Sequence, residues 1–201
     1  MAGAICHAEY ALYGNRVREE NMKRLFFTSA FCALAAFFVL YSSDVHAQVV
    51  VIGDSNIAGK GVAPSENYPS KLQRALRARG YQGRVTNAGI NGDTTEGVIG
   101  RLDTDVPAGT RLAIVWVGIN DIRRHGATHE SVIANKQVIA SRLRARGIKV
   151  IMLGPKYYPA GNRELLQTDR DEHLNAAGYD YLVTRTLPQV EAALGLSGKH
   201  R

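Results

Sequence analysis

Residues 48–56 read Gln48-Val49-Val50-Val51-Ile52-Gly53-Asp54-Ser55-Asn56, and this stretch decides the fold. Four β-branched residues in a row leave no solvent face. Such a run fits a short strand buried on both sides, as in a parallel sheet covered by helices. Gly53 ends the run, and Asp54 and Ser55 follow at its carboxyl end.

The pattern repeats downstream. Short apolar runs at 84–88, 111–117 (RLAIVWV) and 149–153 (KVIML) predict three more strands. A helix is predicted over 68–79, with Leu72, Ala75 and Leu76 on one face and Gly80 as its stop. Residues 89–97 read as a loop and 98–102 as a short helix. A helix over 131–146 is expected to be capped by Ser131 and stopped by Gly147. Residues 155–172 read as a long loop, and 175–194 as a final helix interrupted near Pro188. Strands alternating with helices predict an α/β fold of parallel βαβ units, with helices on both faces. Ligand sites in such sheets lie off the carboxyl ends of the strands, so the residues after each strand come first for function.

Composition narrows the field. The 201 residues are 45% hydrophobic and 21% charged, an ordinary globular balance that excludes collagen-like, disordered and multi-span membrane classes. The two cysteines, Cys6 and Cys32, are too few for a disulfide scaffold or a multi-cysteine zinc site.

Both cysteines fall upstream of residue 48, in a segment with its own logic. Residues 22–47 read MKRLFFTSAFCALAAFFVLYSSDVHA. Lys23 and Arg24 precede an uncharged, mostly apolar run over 25–41, and Val45-His46-Ala47 forms a small-residue cleavage pattern. That is the layout of a secretory signal peptide, which predicts an exported, periplasmic or secreted protein. The length of the apolar run leaves an uncleaved N-terminal membrane anchor as the alternative. Residues 1–21 fit neither a signal nor a domain, and translation from Met22 is the simplest account of them. Residues 48–201 then form one cysteine-free domain, with 21 Lys+Arg, 14 Asp+Glu and a net charge of +7.

Four segments, three at predicted strand ends and one just before the last helix, carry candidate chemistry. Ser55 follows the first strand. Gly92 lies in Asn87-Ala88-Gly89-Ile90-Asn91-Gly92-Asp93-Thr94-Thr95 after the second. Asn120 lies in Gly118-Ile119-Asn120-Asp121 after the third. His173 precedes the last helix. Each alone reads as a turn or a cap. Together they supply a hydroxyl nucleophile (Ser55), a base (His173) and three oxyanion donors: the N–H groups of Ser55 and Gly92 and the amide of Asn120. That is the set acyl transfer requires. No glycine-rich nucleotide motif is present.

In these blocks the chain resembles the SGNH, or GDSL-type, hydrolases, and especially their thioesterase/lysophospholipase and arylesterase branch. The matching segments are GDSN around Ser55, NAGINGDTT around Gly92, GIND around Asn120 and HLNAAGY from His173. The resemblance implies a three-layer α/β/α, flavodoxin-like sandwich and hydrolysis without metal or cofactor. It also implies an acid three residues before the histidine, where this chain has Arg170. Asp169 and Asp171 flank that position. A helical or turn-like segment brings Asp169 onto the face of His173, whereas an extended one brings Asp171. A Ser–His dyad oriented by a backbone carbonyl is the third option.

The expected activity is hydrolysis of carboxylic esters or thioesters, of acyl, aryl or lysophospholipid type, through a Ser–His acyl-enzyme mechanism. The alternatives are a carbohydrate acetyl esterase acting on envelope or extracellular polysaccharide, and an envelope-binding module in which Arg170 marks a decayed site. Asp54, Asp93 and Asp121 read as loop-ordering carboxylates, and Trp116 as a mid-strand core residue. Arg123, Arg124 and His125 follow the Asn120 block on the crevice side. The basic residues spread over helix faces, such as Arg74, Arg77, Arg142 and Arg144, without the aromatic platform that nucleic-acid binding needs. They suit a peripheral contact with an anionic membrane or envelope polymer. Oligomeric state has no signature here.

Overall fold

The computed structural model describes residues 49–196. The expectations for 1–21, for the signal segment at 22–47 and for Cys6 and Cys32 lie outside the described residues.

Four parallel strands form one sheet in the order β2-β1-β3-β4: β1 (Val49–Gly53), β2 (Val85–Gly89), β3 (Leu112–Trp116) and β4 (Lys149–Met152). Val49 pairs with Val85 on one side and Leu112 on the other; Gly53 pairs with Gly89 and Trp116. All three strands therefore end level, and the segments that follow them emerge together.

The central position of β1 explains its unbroken β-branched run. Val49 and Val51 face a layer made by α2 (Tyr68–Arg77) and α6 (Ala176–Leu194), through Tyr68, Leu72, Leu76, Leu182 and Val190. Val50 and Ile52 face α3 (Thr95–Asp105) and α5 (His129–Ala145), through Val98, Leu102, Ile139 and Leu143. The result is the expected three-layer α/β/α sandwich. Val49, Val50, Val51 and Ile52 are fully buried, and each such side chain contributes about 1.5–3 kcal/mol of burial free energy.

Several boundaries depart from the sequence reading. The helix expected over 98–102 is α3, which starts at Thr95 because the Thr94 side chain caps the Gly97 N–H. The helix expected from Ser131 starts at His129: Thr128 Oγ1 accepts from Ser131 N, so Thr128 is the cap and Ser131 lies within the first turn. Residues 119–125, to which the sequence assigned no element, form the short helix α4 (Ile119–His125). The expected loop at 155–172 carries two 3₁₀ turns, Pro155–Tyr157 and Arg163–Leu165.

The last helix runs through Pro188 without interruption. Pro188 and Thr184, whose carbonyl the missing N–H would have served, both lie on the exposed side. Solvent can therefore take the place of that bond, while buried Leu187 and Val190 hold the helix to the sheet.

Candidate active site

The turn after β1 delivers Ser55. Asp54 caps the four-residue helix α1 (Ser55–Ala58), its side chain accepting from Asn56 N at 3.1 Å. Ser55 is thus the first helical residue, at the carboxyl edge of the central strand, and it is buried. Its Oγ lies 2.8 Å from His173 Nε2.

His173 reaches the serine from the far end of the chain. Glu172 N donates to Asp169 O, closing a turn, and Glu172 adopts a left-handed backbone with φ of 51°. The segment is therefore turn-like, and Asp169 falls on the histidine face. Asp169 Oδ2 accepts from His173 Nδ1 and Oδ1 accepts from His173 N at 2.9 Å. Burial raises the Asp169 carboxyl, but the hydrogen bonds from His173 outweigh it and hold the group below its ordinary range, with help from the charges of His173 and Lys60. Asp171 points elsewhere: its carboxylate faces Arg124 at 3.2 Å and Arg123 at 3.9 Å. Arg170 is exposed.

Asn120 sits at the start of α4, buried, and its Nδ2 donates to the Asp93 carbonyl at 2.9 Å. That bond ties the third block to the second. Gly92 occupies the turn closed by Asp93 N to Ile90 O, with φ of 82°, a left-handed value that suits glycine. Beside the serine opens a cavity of about 370 Å³. Ser55, Asn120 and His173 line it; Gly92 is outside its lining. Apolar walls come from Trp116, Ile119, Ile122, Val132 and Tyr158. Trp116 therefore corrects the core reading. It ends β3, is only half-buried, and meets Tyr158 edge-to-face at 6.4 Å.

A model of the GDSL-like lipase/acylhydrolase family matches residues 51–177. The chain belongs to this family. The GDSL-like relatives include the esterase TesA of Pseudomonas aeruginosa, 36% identical over 130 residues, which are 60% of this chain and 63% of that protein. An arylesterase of Vibrio mimicus is 31% identical over 123 residues, 60% of this chain and 61% of that protein. The match thus spans less than two thirds of the length of these two relatives. A crystal structure of AlinE4, described as an SGNH-hydrolase family esterase, shares the fold with a TM-score of 0.53 and 32% identity, over 73% of this chain and 95% of that one.

Around the GDSL-like blocks stand residues that the sequence reading passed over. Asn56 is one: its Oδ1 accepts from Leu174 N and its carbonyl accepts from the Tyr179 hydroxyl, so the serine turn is bonded to the histidine segment. Its adjacency to Ser55 was the only available signal. Arg101 is another. Its guanidinium donates to the carbonyls of Gly53 and Ala88 and pairs with Asp93 at 2.6 Å and Asp105 at 2.5 Å. One side chain on α3 thus ties the ends of β1 and β2 to the Gly92 turn. Nothing in the sequence distinguishes Arg101 from the surface arginines.

The three accessory carboxylates order loops. Asp54 caps α1, Asp93 accepts from Thr94 N, and Asp121 accepts from the backbone and hydroxyl of Thr95. Burial pushes the Asp54 carboxyl up to about 7, opposed by the Asn56 N–H and reinforced by Asp93. Among the described residues, no group of three or more His, Cys, Asp or Glu is disposed to hold a metal ion.

Proposed function

We propose that this chain is a serine esterase that hydrolyses carboxylic esters or thioesters through an acyl-enzyme. The observation that carries the reading is the continuous chain of hydrogen bonds from Asp169 through His173 to Ser55, opening on an apolar cavity. Asp169 fixes the imidazole with its proton on Nδ1, leaving Nε2 to accept the Ser55 proton. Ser55 Oγ then bonds to the substrate carbonyl carbon, and the carbonyl π electrons move onto its oxygen. The N–H groups of Ser55 and Gly92 and the Asn120 amide receive that charge. His173 passes its proton to the departing alcohol or thiol. Water attacks the acyl-serine, giving its proton to Nε2, and the acid leaves as Ser55 is restored.

The apolar walls favour an acyl or aryl group of modest size. Family membership and the named esterase relatives support ester hydrolysis as the reaction class. The reading extends to location: the sequence of 22–47 supports export to the periplasm or beyond, and the +7 charge of residues 48–201 supports contact with anionic envelope surfaces. A mature N-terminus at Gln48, read by mass spectrometry of the exported protein, tests the first point. For the chemistry, wild type should release p-nitrophenol from p-nitrophenyl acetate and Ser55→Ala should not. Activity surviving in Ser55→Ala overturns the nucleophile.

A further inference from the structure

Lys136 is a cation that the cavity leaves without a partner. It lines the wall from α5, beside Val132. Its tip packs against the bare backbone of Gly118, where an added Cβ would lie 2.9 Å from the ammonium nitrogen. Among the described residues Nζ has neither a hydrogen-bond acceptor nor an ion-pair partner. Burial pulls the ammonium below its ordinary range; the charges of Asp121 and Asp54 oppose this without cancelling it. Both carboxylates are already engaged, Asp121 with Thr95 and Asp54 with Asn56 N. The cavity's two arginines are engaged as well, since Arg123 and Arg124 both face Asp171.

A half-buried charge without a partner costs free energy. Any neutral chain that fills this cavity worsens the matter, because it strips water from Nζ and returns no acceptor. An anionic group on the occupant reverses the sign. It supplies a charge-assisted hydrogen bond in largely apolar surroundings, where such bonds are about twice as strong as neutral ones. The same lysine then selects for one class of ester and against the other.

We propose that Lys136 makes the site selective for esters carrying a second, anionic group on the part that fills the cavity: a carboxylate, sulfonate or phosphate a few bonds from the scissile carbonyl. The proposal rests on the esterase reading and names its substrate class. The apolar walls hold the connecting carbon chain and Lys136 holds its charged end. The anion can sit on the acyl half or the alcohol half of the ester, and two pairs of probes separate these cases.

The first pair is mono-p-nitrophenyl adipate against p-nitrophenyl hexanoate. The second is 4-sulfophenyl hexanoate against phenyl hexanoate. In one pair, wild type should favour the anionic member in kcat/KM, and the anionic-to-neutral ratio should fall about tenfold to a hundredfold in Lys136→Met. Lys136→Arg should keep most of the ratio, and added salt should erode it in wild type. A ratio that Lys136→Met leaves unchanged, or an equal loss on both members, overturns the proposal. So does a wild type that cleaves only the neutral esters, while the esterase reading then stands. Failure to cleave any of the four overturns the esterase reading itself and this inference with it. If Lys136→Met does not fold, Lys136→Gln and the wild-type salt dependence decide on the same criteria.

Discussion

Asp169 and Asp171 flank one position, and substituting each by Asn separates the two roles they were eligible for. In Asp169→Asn, an amide replaces the carboxylate that accepts from His173 Nδ1. If the amide donates to Nδ1, the ring proton moves to Nε2, which then cannot accept from Ser55 Oγ. In fully buried triads this error costs on the order of 10⁴ in kcat. Here the Asp169 side chain is 31% exposed, so the amide can turn and water can stand in for part of the lost charge. A loss of about 10²–10³ follows, roughly 2.7–4 kcal/mol of transition-state free energy. Asp171→Asn removes an ion pair whose arginines are 48% and 56% exposed. Pairs that open contribute less than about 1 kcal/mol, which is less than about fivefold in rate.

The assay is kcat/KM for p-nitrophenyl acetate, with the reactive fraction counted by a fluorophosphonate label so that misfolded enzyme does not imitate a slow one. The two variants should differ by at least about twentyfold, with Asp169→Asn the slower. The opposite order, with Asp171→Asn down a hundredfold and Asp169→Asn near wild type, refutes the assignment. Equal and near-normal rates refute the need for any carboxylate, and leave a dyad. Stability gives a second check with a definite sign. The Asp169 carboxyl is held below its ordinary range, so its contribution is present above the unfolded-state value and is lost as pH falls through the depressed one.

Three further perturbations test the scaffold. Arg101→Ala removes a mostly buried guanidinium, 14% exposed, from two carbonyls and two carboxylates; it should cost about 3 kcal/mol, read as a fall in Tm of roughly 6–12 °C, and an unchanged Tm with normal kcat contradicts the fastening role. Asp54 is raised to about 7 by burial, so the folded state binds a proton the unfolded state has released, and this group's contribution weakens as pH rises from about 4 to about 7. Asp54→Asn keeps an acceptor for Asn56 N and should flatten Tm over that range relative to wild type; an identical slope in the two proteins rejects the buried-carboxyl account. Gly89→Ala would set a Cβ 2.2 Å from Ala58 N and 2.6 Å from the Ile57 carbonyl carbon; backbone cannot swing aside, so the Ser55 turn must shift, and normal kcat in this variant contradicts the close packing of β2 on α1.

The fold was readable because its strongest signal is a burial pattern. Val49, Val50, Val51 and Ile52 are apolar on both faces because helices cover both, and a sequence records such symmetry directly. What it records poorly is competition between a local preference and tertiary contact. Pro188 is a helix breaker by its own chemistry, yet it and Thr184 lie on the exposed side while Leu187 and Val190 are anchored in the core. Ser131 and Thr128 are both competent caps, and the choice between them depends on where the chain leaves α4. Trp116 follows buried Val115 in an apolar run, but the strand ends beneath it, and its ring stands at the cavity wall opposite Tyr158.

The same division runs through the site. The candidates Ser55 and Asn120 were legible because each follows a strand, and strand ends can be found from a sequence; His173 was legible from its place just before the last helix. The acid was ambiguous because its identity depends on one dihedral decision. The left-handed Glu172 closes a turn that puts Asp169, four residues back, on the ring and sends Asp171, two back, toward the arginines. Asn56 and Arg101 were invisible for a different reason. Their work is to join segments distant in sequence, Asn56 with Leu174 and Arg101 with Gly53, Ala88 and Asp93. A residue whose role is defined by what it connects carries no local mark. Lys136 belongs with them: only the placement of its tip against Gly118, among carboxylates that are already engaged, separates it from the basic residues spread over the helix faces. The charge of this domain is therefore not all surface. At least one lysine faces the cavity beside Ser55, where its ammonium carries the selectivity proposed above.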